Sequence, residues 1–528
     1  MIRNPILPGF NPDPSICRVG DEYFIATSTF EWYPGVQIHR SKDLVNWDLA
    51  CRPLSRASQL DMRGDPDSCG IWAPCLSHAD GLFWLVYTDV KRYDGNFKDA
   101  PNYIVTAPSI EGPWSDPVYV SSHGFDPSLF HDDDGKKYWL VLQWNHISES
   151  IGGKPKTSAF DGILCQEWHP EEGLKGEIKV ISKGSALGLT EGPHLSKRNG
   201  WYYLTVAEGG TGYSHAVTMA RSRDVFGPYE LHPDTHLLTA KDDPDAPLQR
   251  TGHGQIVETP EGETYHTFLC SRPLPGRFSP LGRETGIEKC EWRDDWLYVE
   301  GGGTLAHLEV PAPFDVEQRA PVAVERRFAD ELPPEFQWLR TPEPERIFTL
   351  TGEALRLIGR ESIGSWFEQA LVARRQEHLR YRAATTLEVF EPTTYQQAAG
   401  LTTYYNRYKF HFAAVSWTEE HGRCLMLMSC PGDWPDGRMQ FPAKPVPLAE
   451  GPVELAVEVD HAKQQFVYRQ GGGNWQPFGP ELDASVISDE GGRGEHGSFT
   501  GAFVGMMCFD ITGQGRPADF TRFSYDPT

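Results

Sequence analysis

Several chemistries are excluded by what this 528-residue chain lacks. No stretch approaches the roughly 18 consecutive apolar residues that a membrane-spanning helix needs. The opening residues, MIRNPILPGFNPDPS, carry no apolar h-region, so a cytoplasmic protein is expected. The 10 cysteines (at 17, 51, 69, 75, 165, 270, 290, 424, 430 and 508) include no CxxC pair and no zinc-finger spacing. They read as reduced, mostly buried thiols. HExxH and GxSxG are both missing, which argues against a metalloprotease and an α/β-hydrolase. The glycine runs GGTG (209–212) and GGG (301–303 and 471–473) are not followed by Lys-Ser or Lys-Thr, so none is a phosphate loop. Positive charge is scarce: 49 Lys and Arg stand against 73 Asp and Glu, a formal net charge of −24. Such a surface repels phosphate backbones and anionic lipid, so neither nucleic acid nor membrane is an expected partner. A neutral ligand is not repelled.

Long helical periodicity is also missing, and what fills the chain is strand and turn. With 52 Gly, 42 Pro and 12% aromatic residues, the composition fits an all-β architecture of two or three domains. A degenerate repeat occupies the first 300 residues. Its five copies read NPDPSICRVGDEYFIATSTF, IWAPCLSHADGLFWLVYTDV, FDPSLFHDDDGKKYWLVLQW, EGPHLSKRNGWYYLTVAEGG and GHGQIVETPEGETYHTFLCS. The anchors are Pro14, Pro74, Pro127, Pro193 and Gly254, spaced by 60, 53, 66 and 61 residues. Each copy joins two strands by a tight turn, such as Ala79-Asp80-Gly81 or Arg198-Asn199-Gly200. Five units of about four strands predict a five-bladed β-propeller over 1–315. The run Asp132-Asp133-Asp134-Gly135 falls on one of these turns and lacks the distal Glu of a calcium loop. After the linker PAPFDVEQRAPVAVE, alternating strands without the 60-residue period predict a C-terminal β-sandwich over 323–528.

A propeller gathers equivalent repeat positions around one axis. The residues just before the anchors are Asp13, Ala73, Asp126, Gly192 and His253, and Glu191 lies one residue further upstream. Strand alternation alone would turn Glu191 outward, so its placement depends on a local re-aiming at Gly192-Pro193. An Asp before Pro can simply cap a turn. Three acids at matched positions are harder to explain that way, because unpaired buried carboxylates are costly. Glycoside hydrolysis uses two carboxyls, one protonated to release the leaving oxygen and one ionised. A third acid keeps the first protonated by repulsion. Arg283, in SPLGRETG, is a candidate cation for such a site.

The motifs NPDPS (11–15), FDPSLF (125–130), TEGPH (190–194) and LGRET (281–285), in that order, resemble those of the β-xylosidases of glycoside hydrolase family 43. The resemblance implies a five-bladed propeller whose active-site pocket is partly closed by the sandwich. It implies an inverting exo-enzyme that releases xylose from short 1,4-β-xylo-oligosaccharides, with α-L-arabinofuranosides as a further or alternative substrate class. On that resemblance Asp13 is the general base, Glu191 the general acid, Asp126 the modulator and orienter of the acid, and Arg283 a ligand of sugar hydroxyls. Phe30, Trp72 and Trp144 resemble pocket aromatics, and Phe503, in SFTGAFVG, the sandwich residue that enters the pocket. No cofactor is required; His253 resembles an axis histidine near which such enzymes hold a metal ion, a calcium of structural or electrostatic role, or a water, and its alternative is a hydrogen-bonded polar group of the core. A homo-oligomer is also expected. Relatives often carry Thr where this chain has Val206. Inversion requires the base and acid carboxyls to stand roughly 6.5–9.5 Å apart, leaving space for a water.

Overall fold

A computed structural model describes residues 1–93, 97–147, 159–433, 436–492 and 498–528. Its first half is a ring of five antiparallel sheets. Blade 1 comprises Ser15–Val19, Glu22–Thr27, Gln37–Ser41 and Asp48–Cys51, hydrogen-bonded in that order. Blades 2, 3 and 4 begin at Gly70–Ala79, Ser128–His131 and Glu191–Arg198, each followed by three strands in sequence order. Blade 5 begins with Gln249–Gly252 and Ile256–Glu258, which both pair with Thr264–Ser271. The first strands of blades 1 to 4 pack against one another in succession, and Ile256–Glu258 returns to the first strand of blade 1.

The ring is closed by polar stitches as well as packing. Ser15 Oγ donates to Gln255 Oε1 at 2.7 Å, joining blade 1 to blade 5. Ile2–Arg3 pairs with Glu309–Val310, and Asn4 bonds both the N–H and the C=O of Ile287. The inner hairpins turn where the sequence predicts. Asp80 and Gly81 both have positive φ (55° and 74°), the backbone of the tight turns that match strand twist.

One backbone feature recurs in all five blades. Asp13, Ala73, Asp126, Gly192 and His253, the residues before the anchors, have φ of 57°, 24°, 58°, 55° and 42°. This left-handed conformation is uncommon for residues other than glycine. It breaks the strand alternation, and the pairing register shifts beside it between Trp72 and Cys75 and between Glu191 and His194. Side chains one and two residues before an anchor can therefore both face the mouth of the axis.

The second half is a β-sandwich. One sheet runs Phe348–Leu350, Leu355–Ile358, Pro517–Pro527, Arg380–Val389, Val453–Asp460, Lys463–Gln470 and Gln476–Asp483, with Val324–Arg327 added on Pro517–Pro527. Along Arg380–Val389 burial alternates, as expected for a sheet with one wet face. The other sheet contains Gln397–Asn406 and Phe503–Asp510, both buried at every position. They are covered on two sides. Leu401, Val415, Val504 and Met506 fill the space between the sheets. Tyr404, Phe412, Phe503 and Met507 pack with Phe10, Phe30 and Trp32 of the propeller. Trp32–Tyr33 of blade 1 extends this sheet by pairing with Gln337–Leu339. All ten cysteines are unpaired, eight of them buried.

Candidate active site

A cavity of about 390 Å³ opens at the axis where the sandwich meets the propeller. Asp13, Asp126, Glu191, His253 and Arg283 all line it. The positions one residue before the anchors supply Asp13, Asp126 and His253. Those two residues before supply Trp72, Phe125 and Glu191. The left-handed residue at each blade entrance thus resolves the offset of Glu191: Gly192 carries the reversed backbone, and Glu191 is turned inward. Gly192 N–H also donates to Asp126 Oδ2 at 3.1 Å, tying the acids of blades 3 and 4 together.

The carboxyls differ sharply in environment. Asp13 Oδ1 accepts from Arg283 Nη1 at 3.0 Å and Oδ2 from Ser28 Oγ at 2.6 Å. Burial alone would raise this carboxyl. Arg283, His253 and the Ser28 hydroxyl outweigh burial and hold it below the usual carboxylate range. Asp13 is therefore ionised. Glu191 lacks such support. Burial first, then the Asp13 charge, push it up to about 8 against the opposing pull of Arg283 and Lys98. Asp126 is likewise raised well above its ordinary value, by burial and then by Glu191 and Asp13. Two such neighbours cannot both ionise at neutral pH, so the Glu191–Asp126 pair retains a proton.

Arg283 is 3% exposed and divides its fork between the halves of the molecule. Nη1 reaches Asp13 and Thr211 Oγ1, each at 3.0 Å, and Nη2 donates to the carbonyl of Phe499 at 2.8 Å. The guanidinium also lies over the Phe30 ring, 5.4 Å from its centroid. Trp72 packs against Phe30, Tyr93 and Phe125 at 5.3–5.8 Å and donates its indole N–H to Ser68 O. Trp144 lies under Lys98 Nζ at 4.2 Å. Phe30, Trp72 and Trp144 all line the cavity.

Phe503 does not. It is fully buried in the seam, stacked on Trp32 with centroids 3.6 Å apart. Among the described residues, the sandwich residue that lines the cavity is Phe499, four positions earlier and ahead of the strand. Sequence reasoning also missed Tyr93, Lys98, Phe125, Phe160, Thr211 and His215. Phe125 was within reach, since it occupies the repeat position of Trp72 and Glu191. The GGTG run, dismissed as a phosphate loop, places Thr211 beside Arg283 instead. Val206 is buried in the blade core and does not line the cavity.

His253 lies 4.0 Å from Asp13 Oδ1 through Nδ1. Its surroundings include the His194 ring, and His215 and His266 are close enough to feel its charge. Burial lowers all four imidazoles, which are neutral at pH 7. Calcium takes six to eight oxygen ligands. Among the described residues no group of three or more His, Cys, Asp or Glu is disposed to hold a metal ion. The nitrogen-rich set around His253 does not form a protein-built calcium cage.

The chain is similar to known proteins along almost its whole length. Residues 2–297 match the family model for glycosyl hydrolases family 43, and residues 326–526 match that for the beta-xylosidase C-terminal concanavalin A-like domain. The chain is 55% identical over 537 residues to xylosidase/arabinosidase 43B of Humicola insolens, covering 100% of this chain and 98% of that protein. It is 47% identical over 539 residues to a beta-xylosidase of Bacillus subtilis, covering 99% of each. The crystal structure of a xylan beta-1,4-xylosidase from Bacillus halodurans superposes with a TM-score of 0.94 at 47% identity, covering 100% of both chains.

Proposed function

The chain belongs to glycosyl hydrolase family 43, and we propose that it is an inverting exo-β-xylosidase that removes xylose from the non-reducing end of short 1,4-β-xylo-oligosaccharides. The observation that carries this reading is a pair of carboxyls on one cavity in opposite surroundings: Asp13 bonded to Arg283 and Ser28, and Glu191, with no such bonds among the described residues, facing the Asp13 charge and pushed up to about 8. That is the division of labour glycoside hydrolysis needs. The terminal sugar rests on Phe30 and Trp72, with Phe499 closing the cavity. Glu191 protonates the glycosidic oxygen as the bond to the anomeric carbon breaks. Asp13 takes a proton from the water that attacks the opposite face. Arg283 holds Asp13 ionised and offers donors to ring hydroxyls, while Asp126 repels charge on Glu191 and favours its acid form. Delivery of short oligosaccharides to a cytoplasmic homo-oligomer forms part of the same proposal.

A second substrate, the α-L-arabinofuranoside, is favoured by the similarity to a protein named for both activities. Rates on the two aryl glycosides, side by side, rank the substrates. A sugar-binding protein without turnover has no use for an acid and a base on one cavity. Proton NMR of xylobiose hydrolysis tests the mechanism directly. α-Xylose is expected first, and its formation should fall by at least about 100-fold in Asp13→Ala and in Glu191→Ala. Prior appearance of β-xylose would overturn inversion.

A further inference from the structure

Phe499 is the one residue of the sandwich that reaches the cavity among those described. It belongs to a loop, not a strand, so something other than sheet pairing must fix it. Its peptide is held at both ends by the propeller. Arg283 Nη2 donates to its carbonyl, and its N–H donates to Ser68 Oγ at 3.1 Å. Ser68 also holds the facing wall, because its carbonyl accepts the indole N–H of Trp72 at 2.9 Å. One residue therefore grips an aromatic from each half of the molecule, and the two rings meet edge to face at 6.0 Å.

Ser68 is itself locked. It is 1% exposed, with a left-handed backbone at φ 61°. Such a conformation in a non-glycine residue persists only where its surroundings over-determine it, and it clusters at functional sites. Here the surroundings are explicit. Ser68 N–H donates to Glu31 Oε2 at 3.1 Å. The preceding residue, Asp67, takes Arg340 on one oxygen at 2.9 Å and Arg407 on the other at 3.1 Å. Both arginines come from the sandwich. Ser68 sits on a propeller segment clamped by sandwich cations and returns the clamp to the sandwich through Phe499.

We propose that Ser68 is a positioning residue that sets Phe499 over the terminal-sugar pocket, so that sugar recognition depends on the seam between the two halves. This rests on the glycosidase reading above. Ser68 touches no reacting atom and acts only through the placement of Phe499 and Trp72. Its hydroxyl contributes to binding the sugar, not to breaking the bond.

The experiment is a double-mutant cycle on an aryl β-xyloside, using S68A, F499A and the double variant. S68A deletes the hydroxyl but keeps the backbone bonds to Trp72 and Glu31. Loss of one neutral hydrogen bond predicts a rise in KM of about 2- to 10-fold, with kcat within about twofold. In the F499A background, where no ring remains to be placed, adding S68A should change KM by less than about 1.5-fold, the non-additivity that marks residues acting together. Thermal unfolding of each variant reports whether the fold is intact. Additive KM effects in the cycle, a fall in kcat in place of a rise in KM, or S68A kinetics equal to wild type would overturn the proposal. Failure of the glycosidase reading looks different: the wild type itself would turn over neither xyloside nor arabinofuranoside.

Discussion

Asp13 is buried and Glu191 half-buried at one cavity, and their neighbours decide which keeps its proton. Asp13 receives a guanidinium and a hydroxyl. Glu191 faces the charge of Asp13, with Lys98 the weaker of two cations that offset it. This sets the pH profile of kcat/KM, which follows the free enzyme. The acid must be protonated, so activity falls as pH rises through the Glu191 value of about 8. The base must be ionised, and its value lies below the usual carboxylate range, so the acid limb falls below pH 4. Lys98 lowers Glu191 by favouring its charged form. Lys98→Met should therefore move the alkaline limb upward, by a fraction of a pH unit up to about one unit, and leave the acid limb in place. A downward shift of the alkaline limb in that variant would contradict the assignment of Glu191 as the acid. Kinetics on an aryl xyloside, carried from below the ordinary carboxylate value up to about pH 10, read both limbs.

At the scale of the element, the blade entrance does the work. A left-handed residue marks the entrance of each of the five blades, and the fourth must be glycine for a reason beyond φ. A Cβ on Gly192 would stand 2.7 Å from Cε1 of His253. Gly192→Ala is expected to displace His253, loosen the bond to Asp126 and swing Glu191. The expected loss in kcat/KM is at least about tenfold, with about 1–3 kcal/mol of stability lost to the forced conformation, read by kinetics and urea unfolding together. The same element explains what could be read before the fold was known. Anchor spacing brings Asp13, Asp126 and His253 to one cavity because these sit at one repeat position. Glu191 broke strand alternation, and only the reversed backbone at Gly192 accounts for it. Phe503 was placed wrongly for a related reason. Alternation distinguishes inward from outward residues only where a strand has a wet face. Phe503–Asp510 has none, being buried on both sides, so nothing in SFTGAFVG distinguishes the pocket aromatic Phe499 from the packing aromatic Phe503. Lys98 and Phe160 lie outside the aligned repeats, where no positional argument reaches them.

Across the whole molecule, the cavity is finished by contacts that no single half contains. Phe499 comes from the sandwich, and Trp32–Tyr33 of blade 1 is an edge strand of the sandwich sheet. Arg340 is 1% exposed and its partner Asp67 2%. It donates from its backbone to Glu31 O, from Nε to Asp65 O and from Nη2 to Asp67. Removing Arg340 takes one of two cations from Asp67, which keeps Arg407, and leaves Asp65 O without its donor. Arg340→Ala is thus expected to destabilise the chain by less than the roughly 3–5 kcal/mol of a charge left wholly unpaired, measured by chemical unfolding. It should also raise KM, because the segment that carries Ser68 and Trp72 loses its hold on the sandwich. Asp67→Asn keeps the volume but leaves both Arg340 and Arg407 without their shared carboxylate, and should cost more in stability, about 3–5 kcal/mol. If stability fell in Arg340→Ala while KM on the xyloside stayed at the wild-type value, the seam would be a structural joint alone, and the pocket would be set by the propeller without it.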